Sequence, residues 1–148
     1  MNSDNFSVTL EVVTLGLVQL LVTDSRLGVD KALEILYTSR LYEVLEDPAT
    51  AFYHQSITAL YEQLKAETVG LDVYEPATEE NRHEIICFKV FCLQQYKNAH
   101  RLTGKEAYDL FKYYGVWEYL SAYYEVLYLL NNLNILADID DFIAGKQY

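Results

Sequence analysis

Apolar residues recur at helical intervals along most of this chain, and the breaks between the runs are short. Val12, Val13, Leu17, Leu20 and Leu21 follow a 3.6-residue repeat, although the Val and Thr content there also suits a strand. A second helix is expected over 30–38 and a short third over 40–46. Pro48, in "EDPAT", disfavours a helical residue before it and suits a helix start. Phe52, Ile57, Leu60, Tyr61 and Leu64 then predict a fourth helix ending near Glu67.

Gly70 and Pro76 punctuate a linker over 69–78, and Thr78 with Glu79 and Glu80 suits a helix start. The next helix, about 79–99, has a wide apolar face of Ile85, Ile86, Phe88, Val90, Phe91, Leu93 and Tyr96. Thr103 and Glu106 form the T-x-x-E pattern of a capping box, which places a helix at 104–113. Gly115 supplies a turn, and a long helix is expected to run on to about Leu130. After "NNLN", residues Ile135, Leu136, Ile139, Phe142 and Ile143 mark a last helix, expected to end at Gly145. The fold class is therefore all-α, with two related helical halves: a first repeat at 1–68 and a second at 79–148.

The relation between the halves is visible at one fixed offset. Moving "RLGVDKALEILYTSRLYEVL" (26–45) forward by 75 residues gives "RLTGKEAYDLFKYYGVWEYL" (101–120), with no gap. Arg26 meets Arg101, Leu27 meets Leu102, Ala32 meets Ala107, Glu43 meets Glu118 and Leu45 meets Leu120. Apolar positions coincide between them, Tyr42 meets Trp117, and Gln19 meets Gln94 in the preceding helix. Identities at helix, turn and second helix favour duplication over two amphipathic helices alike by chance.

"YYGVWEYLSAYYEVLYLL" (113–130) is unusually aromatic. As a single helix it carries a core seam of Val116, Leu120, Tyr123, Leu127 and Leu130. A second stripe of Tyr113, Trp117, Tyr124 and Tyr128 lies beside it. That stripe suits burial between the halves, or contact with a partner, since Trp and Tyr are enriched at interaction hot spots. These four residues are the candidate partner-binding set.

Composition narrows the class. A 51% hydrophobic content with 22% charged residues excludes disorder. A formal charge of −11 argues against nucleic-acid binding, which needs clustered Lys and Arg, and suits a basic partner or plain solubility. Residues 1–75 hold 12 acids and 4 bases, against 10 and 7 in 76–148. Asp4 and Glu11 stand where a signal peptide needs positive charge, and the apolar run Val12–Val22 is shorter than the about 20 residues of a membrane span. A cytoplasmic location without membrane attachment is the expectation.

Chemistry is scarce. Cys87 and Cys92, five apart on a helix, point about 140° away from each other and suit neither a disulfide nor a metal pair. They are expected to be buried thiols. His54, His83 and His100 show no paired ligand spacing, and "DIDD" (138–141) lacks the glycine and distal glutamate of a calcium loop. Asp138 reads instead as a helix cap. No nucleophile or phosphate-loop motif occurs. The chain is thus expected to be no enzyme and to need no cofactor or metal.

"LTGKEAYDLFKYYGVWEYLSAYYEVLY…ADIDDFI" resembles a bacterial family of small helical domains of unknown function. The resemblance rests on Gly115 and Val116, Tyr119 and Leu120, Tyr124 and Leu127, and Asp138 and Ile139. The first half, with Asp47, Pro48, Thr50 and Ser56, is similar to a sister family. Such domains are often encoded beside ADP-ribosyltransferase-like proteins, which implies an antitoxin or immunity-type role against a toxin or transferase. Where the family tends to have a histidine, this chain has Tyr128, so a role tied to that imidazole does not carry over. The expectation is a non-catalytic protein-binding module, with homo-oligomers compatible. The alternative is a phage-type inhibitor whose acidic surface mimics nucleic acid.

Overall fold

The computed structural model describes residues 3–68, 83–124 and 135–146. Among them all regular structure is helical, with eight α-helices, two 3-10 turns and no strand. The fold class is all-α. The chain divides into two compact units, Met1–Ile86 and Cys87–Tyr148.

In the first unit α1 (Ser3–Thr23) packs on α2 (Val29–Tyr37) and on α4 (Ile57–Glu67), and α3 (Arg40–Glu46) packs on α2 and α4. Leu17, Val18, Leu21, Leu33, Leu36, Leu45, Leu60 and Leu64 are buried together as its core. Gly16 permits close approach of α1 and α4, since a Cβ there would stand 3.2 Å from Ile57 Cδ1. The apolar stretch is longer than the sequence suggested. The window Phe6–Thr23 of α1 has a mean hydropathy of 1.8 and is long and apolar enough to cross a membrane. Its buried face packs on α2 and α4, while Val8 and Val12 are exposed.

Caps explain the boundaries. Ser39 Oγ accepts the Tyr42 N–H at 3.1 Å, while Glu67, at the end of α4, accepts the N–H groups of Arg40 (2.9 Å) and Leu41 (3.1 Å). A carboxylate carried by another helix thus satisfies the first donors of α3. The fourth helix begins five residues later than the Phe52 start that periodicity predicts. Two 3-10 turns, Pro48–Thr50 and Phe52–His54, take up the intervening chain around a left-handed Ala51. Ser56, whose Oγ accepts the Ala59 N–H at 3.1 Å, sets the helix start.

The second unit contains most of α5 (His83–His100), then α6 (Gly104–Tyr113), α7 (Val116–Ala122) and α8 (Ile135–Lys146). The expected capping box is present, with Thr103 Oγ1 accepting the Glu106 N–H at 3.1 Å and Glu106 Oε1 accepting the Thr103 N–H at 2.9 Å. α6 packs on α7, and α7 packs on α8.

Several expectations fail in this unit. The aromatic run is not one helix from 116 to 130, because α7 stops at Ala122 and Tyr123 leaves helical geometry at φ −113°, ψ 18°. Leaving the helix turns Tyr123 to the surface, 53% exposed, so it does not belong to the core seam. α8 runs through Gly145 to Lys146 instead of ending at that glycine. Leu127, Leu130, Thr78 and the linker 69–78 lie outside the described residues.

The 75-residue offset also recurs in local geometry. Arg26 and Arg101 both adopt left-handed φ, 60° and 56°. The N-caps that follow match as well, Gly28 at φ −67°, ψ 158° and Thr103 at φ −75°, ψ 163°. Ala32 and Ala107, Leu36 and Phe111, Leu41 and Val116, Tyr42 and Trp117, and Leu45 and Leu120 are buried pair by pair.

Candidate functional site

Of the four aromatic candidates, the three that are described do not share a face. Trp117, on the buried side of α7, is 4% exposed and meets Phe111 edge-on at 5.0 Å and Tyr108 at 6.0 Å. The Nζ of the fully buried Lys89 stands 6.0 Å from the indole centroid, at the outer limit of cation–π contact. Tyr124 is 9% exposed and packs edge-on against Phe88 at 5.3 Å. Both side chains are therefore held inside the protein. Tyr128 lies outside the described residues. Tyr113, the last residue of α6, is the exception at 81% exposed.

Tyr113 stands at a cleft of about 390 Å³ lined by Lys112, Tyr113, Tyr114, Gly115, Glu118 and Lys146. The turn between α6 and α7 builds one wall. α6 ends where Tyr114 donates its N–H to Leu110 O at 3.0 Å, and Gly115 then takes a left-handed φ of 72° to start α7. That conformation suits glycine and lets the chain reverse without a Cβ penalty. Glu118 Oε2 would lie 3.6 Å from a Cβ at Gly115, an ordinary contact, so the backbone conformation and not crowding calls for the glycine. Tyr113 and Tyr114 meet edge-to-face at 4.8 Å, which stiffens the aromatic rim.

The opposite contribution comes from α8, whose last turn carries Lys146. Its Nζ lies 5.3 Å from the centroid of the Phe142 ring, which helps to hold the ammonium in place. Phe142 in turn stacks on Tyr119 at 4.3 Å, and burial followed by Asp138 raises the pKa of Tyr119. The pattern of apolar positions gives no role to Lys112, Tyr114 or Lys146, and Glu118 enters it only as the counterpart of Glu43. The helical repeat does place Lys112 and Lys146 in last turns. It gives no sign that two helices far apart in sequence aim them at one hollow.

Other titratable groups are pinned to structure. His100 Nε2 lies 3.1 Å from Asp140 Oδ1, tying α5 to α8, and the His100 ring tilts over Tyr96 at 4.2 Å. Burial and then Asp140 raise the pKa of Tyr96. Asp138 lies inside α8, in its first turn and three residues after Ile135, so it is not the helix cap that the sequence suggests. Cys92 is buried, and burial drives its thiol pKa far up, which suppresses the nucleophilic thiolate. Cys87 is half-buried, less enclosed than the sequence suggested. Among the described residues no group of three or more His, Cys, Asp or Glu side chains is gathered for a metal ion.

Charge is distributed unequally between the units. Residues 1–86 hold 15 acids and 5 bases, a net of −10, whereas residues 87–148 hold 7 and 6, a net of −1. The cleft thus belongs to the nearly neutral unit, and its own lining carries two ammonium groups against one carboxylate.

Residues 87–146 match a family described as "Protein of unknown function (DUF3791)". The match falls on the second unit, which begins at Cys87. No curated protein and no solved structure matches the chain.

Proposed function

We propose that the chain is a non-catalytic protein-binding module of antitoxin or immunity type, acting in the bacterial cytoplasm on a toxin or transferase. One observation carries this reading. Tyr113 is a large aromatic side chain, 81% exposed, at the rim of a polar cleft. Such a ring offers rigid contact area with a hydroxyl tip, at low cost in conformational entropy. The resemblance of both halves to domains encoded beside ADP-ribosyltransferase-like proteins supplies the class of partner. The matching corners and buried pairs support an origin of the two units by duplication. The first is then the acidic copy, able to steer a basic partner surface.

The direct test is co-expression with the protein encoded next to it, followed by purification on a single tag. Co-purification is expected, and Tyr113→Ala is expected to weaken it without lowering the melting temperature. Failure of the pair to co-purify refutes the antitoxin reading. The −10 charge of the first unit favours a second reading, an inhibitor that mimics nucleic acid. Competition by DNA for the captured partner separates it from the first.

A further inference from the structure

We infer that the cleft of the second unit takes an acidic segment of polypeptide, a carboxylate side chain seated between Lys112 and Lys146 with an apolar neighbour laid on Tyr113. The inference rests on the protein-binding reading and specifies the chemistry of the contact.

Lysines in last helical turns are usually explained by the negative end of the helix dipole. That accounts for each residue separately, but not for their convergence. Lys112 closes α6 and Lys146 closes α8, yet both line one hollow in a chain of net charge −11. Among the described residues neither is joined to a carboxylate in an ion pair. Lys31, Lys65 and His100, by contrast, have one. Glu118 lines the same hollow without pairing with either lysine. The formal charge of the lining is therefore +1, which complements one carboxylate.

A phosphate group fits less well. It brings close to two negative charges against a lining that already holds Glu118, and bidentate phosphate recognition favours arginine, which the lining lacks. Glu118 suits a peptide instead, since it can accept a backbone N–H beside the seated carboxylate. The edge-to-face tyrosine pair provides the apolar wall.

The test uses the whole chain, ¹⁵N-labelled, titrated with acetyl-Gly-Glu-Leu-Gly-amide and with the same peptide carrying Gln or Lys in place of Glu. Saturable shifts are expected at the amides of Tyr113, Gly115 and Lys146. The Glu peptide should bind about 10-fold or more tightly than the Gln peptide, as expected for charge-assisted hydrogen bonds. Lys112→Ala combined with Lys146→Ala should abolish the shifts. Both lysines are exposed, so an unchanged circular dichroism melt is expected to accompany that loss. Lys146→Met, which keeps an apolar stem over Phe142, should weaken binding alone. Absence of saturable shifts, equal affinity for the Gln peptide, or preference for the Lys peptide overturns the assignment. Tighter binding of inorganic phosphate than of the Glu peptide does the same. A protein that co-purifies with its genomic neighbour but ignores the peptides keeps the protein-binding reading and loses only this site. The reverse result keeps the site and removes the antitoxin role.

Discussion

Replacing Trp117 tests whether the aromatic run is architecture or contact surface. The indole is 4% exposed, in edge contact with Phe111 at 5.0 Å, and its Nε1 is buried with no hydrogen-bond acceptor among the described residues. Trp117→Ala removes one of the largest core side chains, at a cost of about 3–5 kcal/mol. Trp117→Phe keeps the edge contact. It sacrifices some apolar area but removes a buried unsatisfied donor that itself costs about 1–3 kcal/mol. The two effects nearly cancel, so the Phe variant is expected within about 1 kcal/mol of the parent. The assay is urea unfolding followed by far-ultraviolet circular dichroism, because the only tryptophan is the residue replaced. A thermal scan should show the Ala variant lower by roughly 10 °C, at about 2–4 °C per kcal/mol for a chain of this size. If the Ala variant stays within about 1 kcal/mol of the parent, or Phe is as damaging as Ala, the burial argument is wrong.

Other features of the structure give sharp expectations. Glu67→Ala should cost about 1–2 kcal/mol, because it uncaps α3, and amide exchange should rise first at Arg40 and Leu41. Gly115→Ala should cost about 1–2 kcal/mol from its φ of 72°, read by the same unfolding assay, with Asn milder than Ala. Tyr61 donates to Asp24 Oδ2 at 2.6 Å and lies 2.6 Å from Ser25 Oγ, and burial followed by the Asp24 bond pushes its pKa up to about 12. A folded pKa above the ordinary 10.0 means that the stabilisation is complete below pH 10 and is lost as pH rises towards 12. Tyr61→Phe should flatten that alkaline slope in stability measured against pH. Asp140→Asn should cost less than about 1 kcal/mol in the urea assay, since the His100–Asp140 pair is 40% and 46% exposed.

Much of the helical frame is legible in the sequence, and the reasons are local. Thr103 and Glu106 announce α6 because a capping box is made by residues three apart. Ser39 and Glu46 bound α3 at the expected places for similar reasons. What escaped depends on contacts between distant residues or on one backbone torsion. Periodicity carried the seventh helix through Tyr123, since Tyr123 sits three residues after Leu120. The chain leaves helical geometry there, and a pattern of apolar positions contains no term for that exit. Glu67 reads as an ordinary surface acid of α4 until α3 is seen to begin beside it. The cleft was illegible for the same reason, because Lys112 and Lys146 are 34 residues apart and share no local pattern.

The 75-residue offset separates frame from surface more firmly than either unit does alone. Between 26–45 and 101–120, pairs that coincide in burial are apolar or aromatic in both units, down to Tyr42 and Trp117, and they account for the packing there. At the cleft the two units part. Lys112, Tyr113, Tyr114 and Gly115 stand where the first unit has Tyr37, Thr38, Ser39 and Arg40. Tyr37 is buried and meets Tyr42 edge-on at 4.9 Å, whereas its counterpart Lys112 is exposed. Ser39 caps α3 with its own side chain, whereas α7 starts on Gly115 with no side-chain cap. The corner of the first unit is thus a turn capped by Ser39 and by Glu67 of α4, whereas the matching corner of the second opens on a hollow with two cations and an exposed ring. The difference reaches the interior where the buried Tyr37 gives way to Lys112, and at Thr38 and Arg40 it lies on the solvent side. Any contact made on this side of the second unit must therefore use Lys112, Tyr113 and Lys146, which are exposed, because Trp117, the residue that first draws attention in the sequence, is 4% exposed.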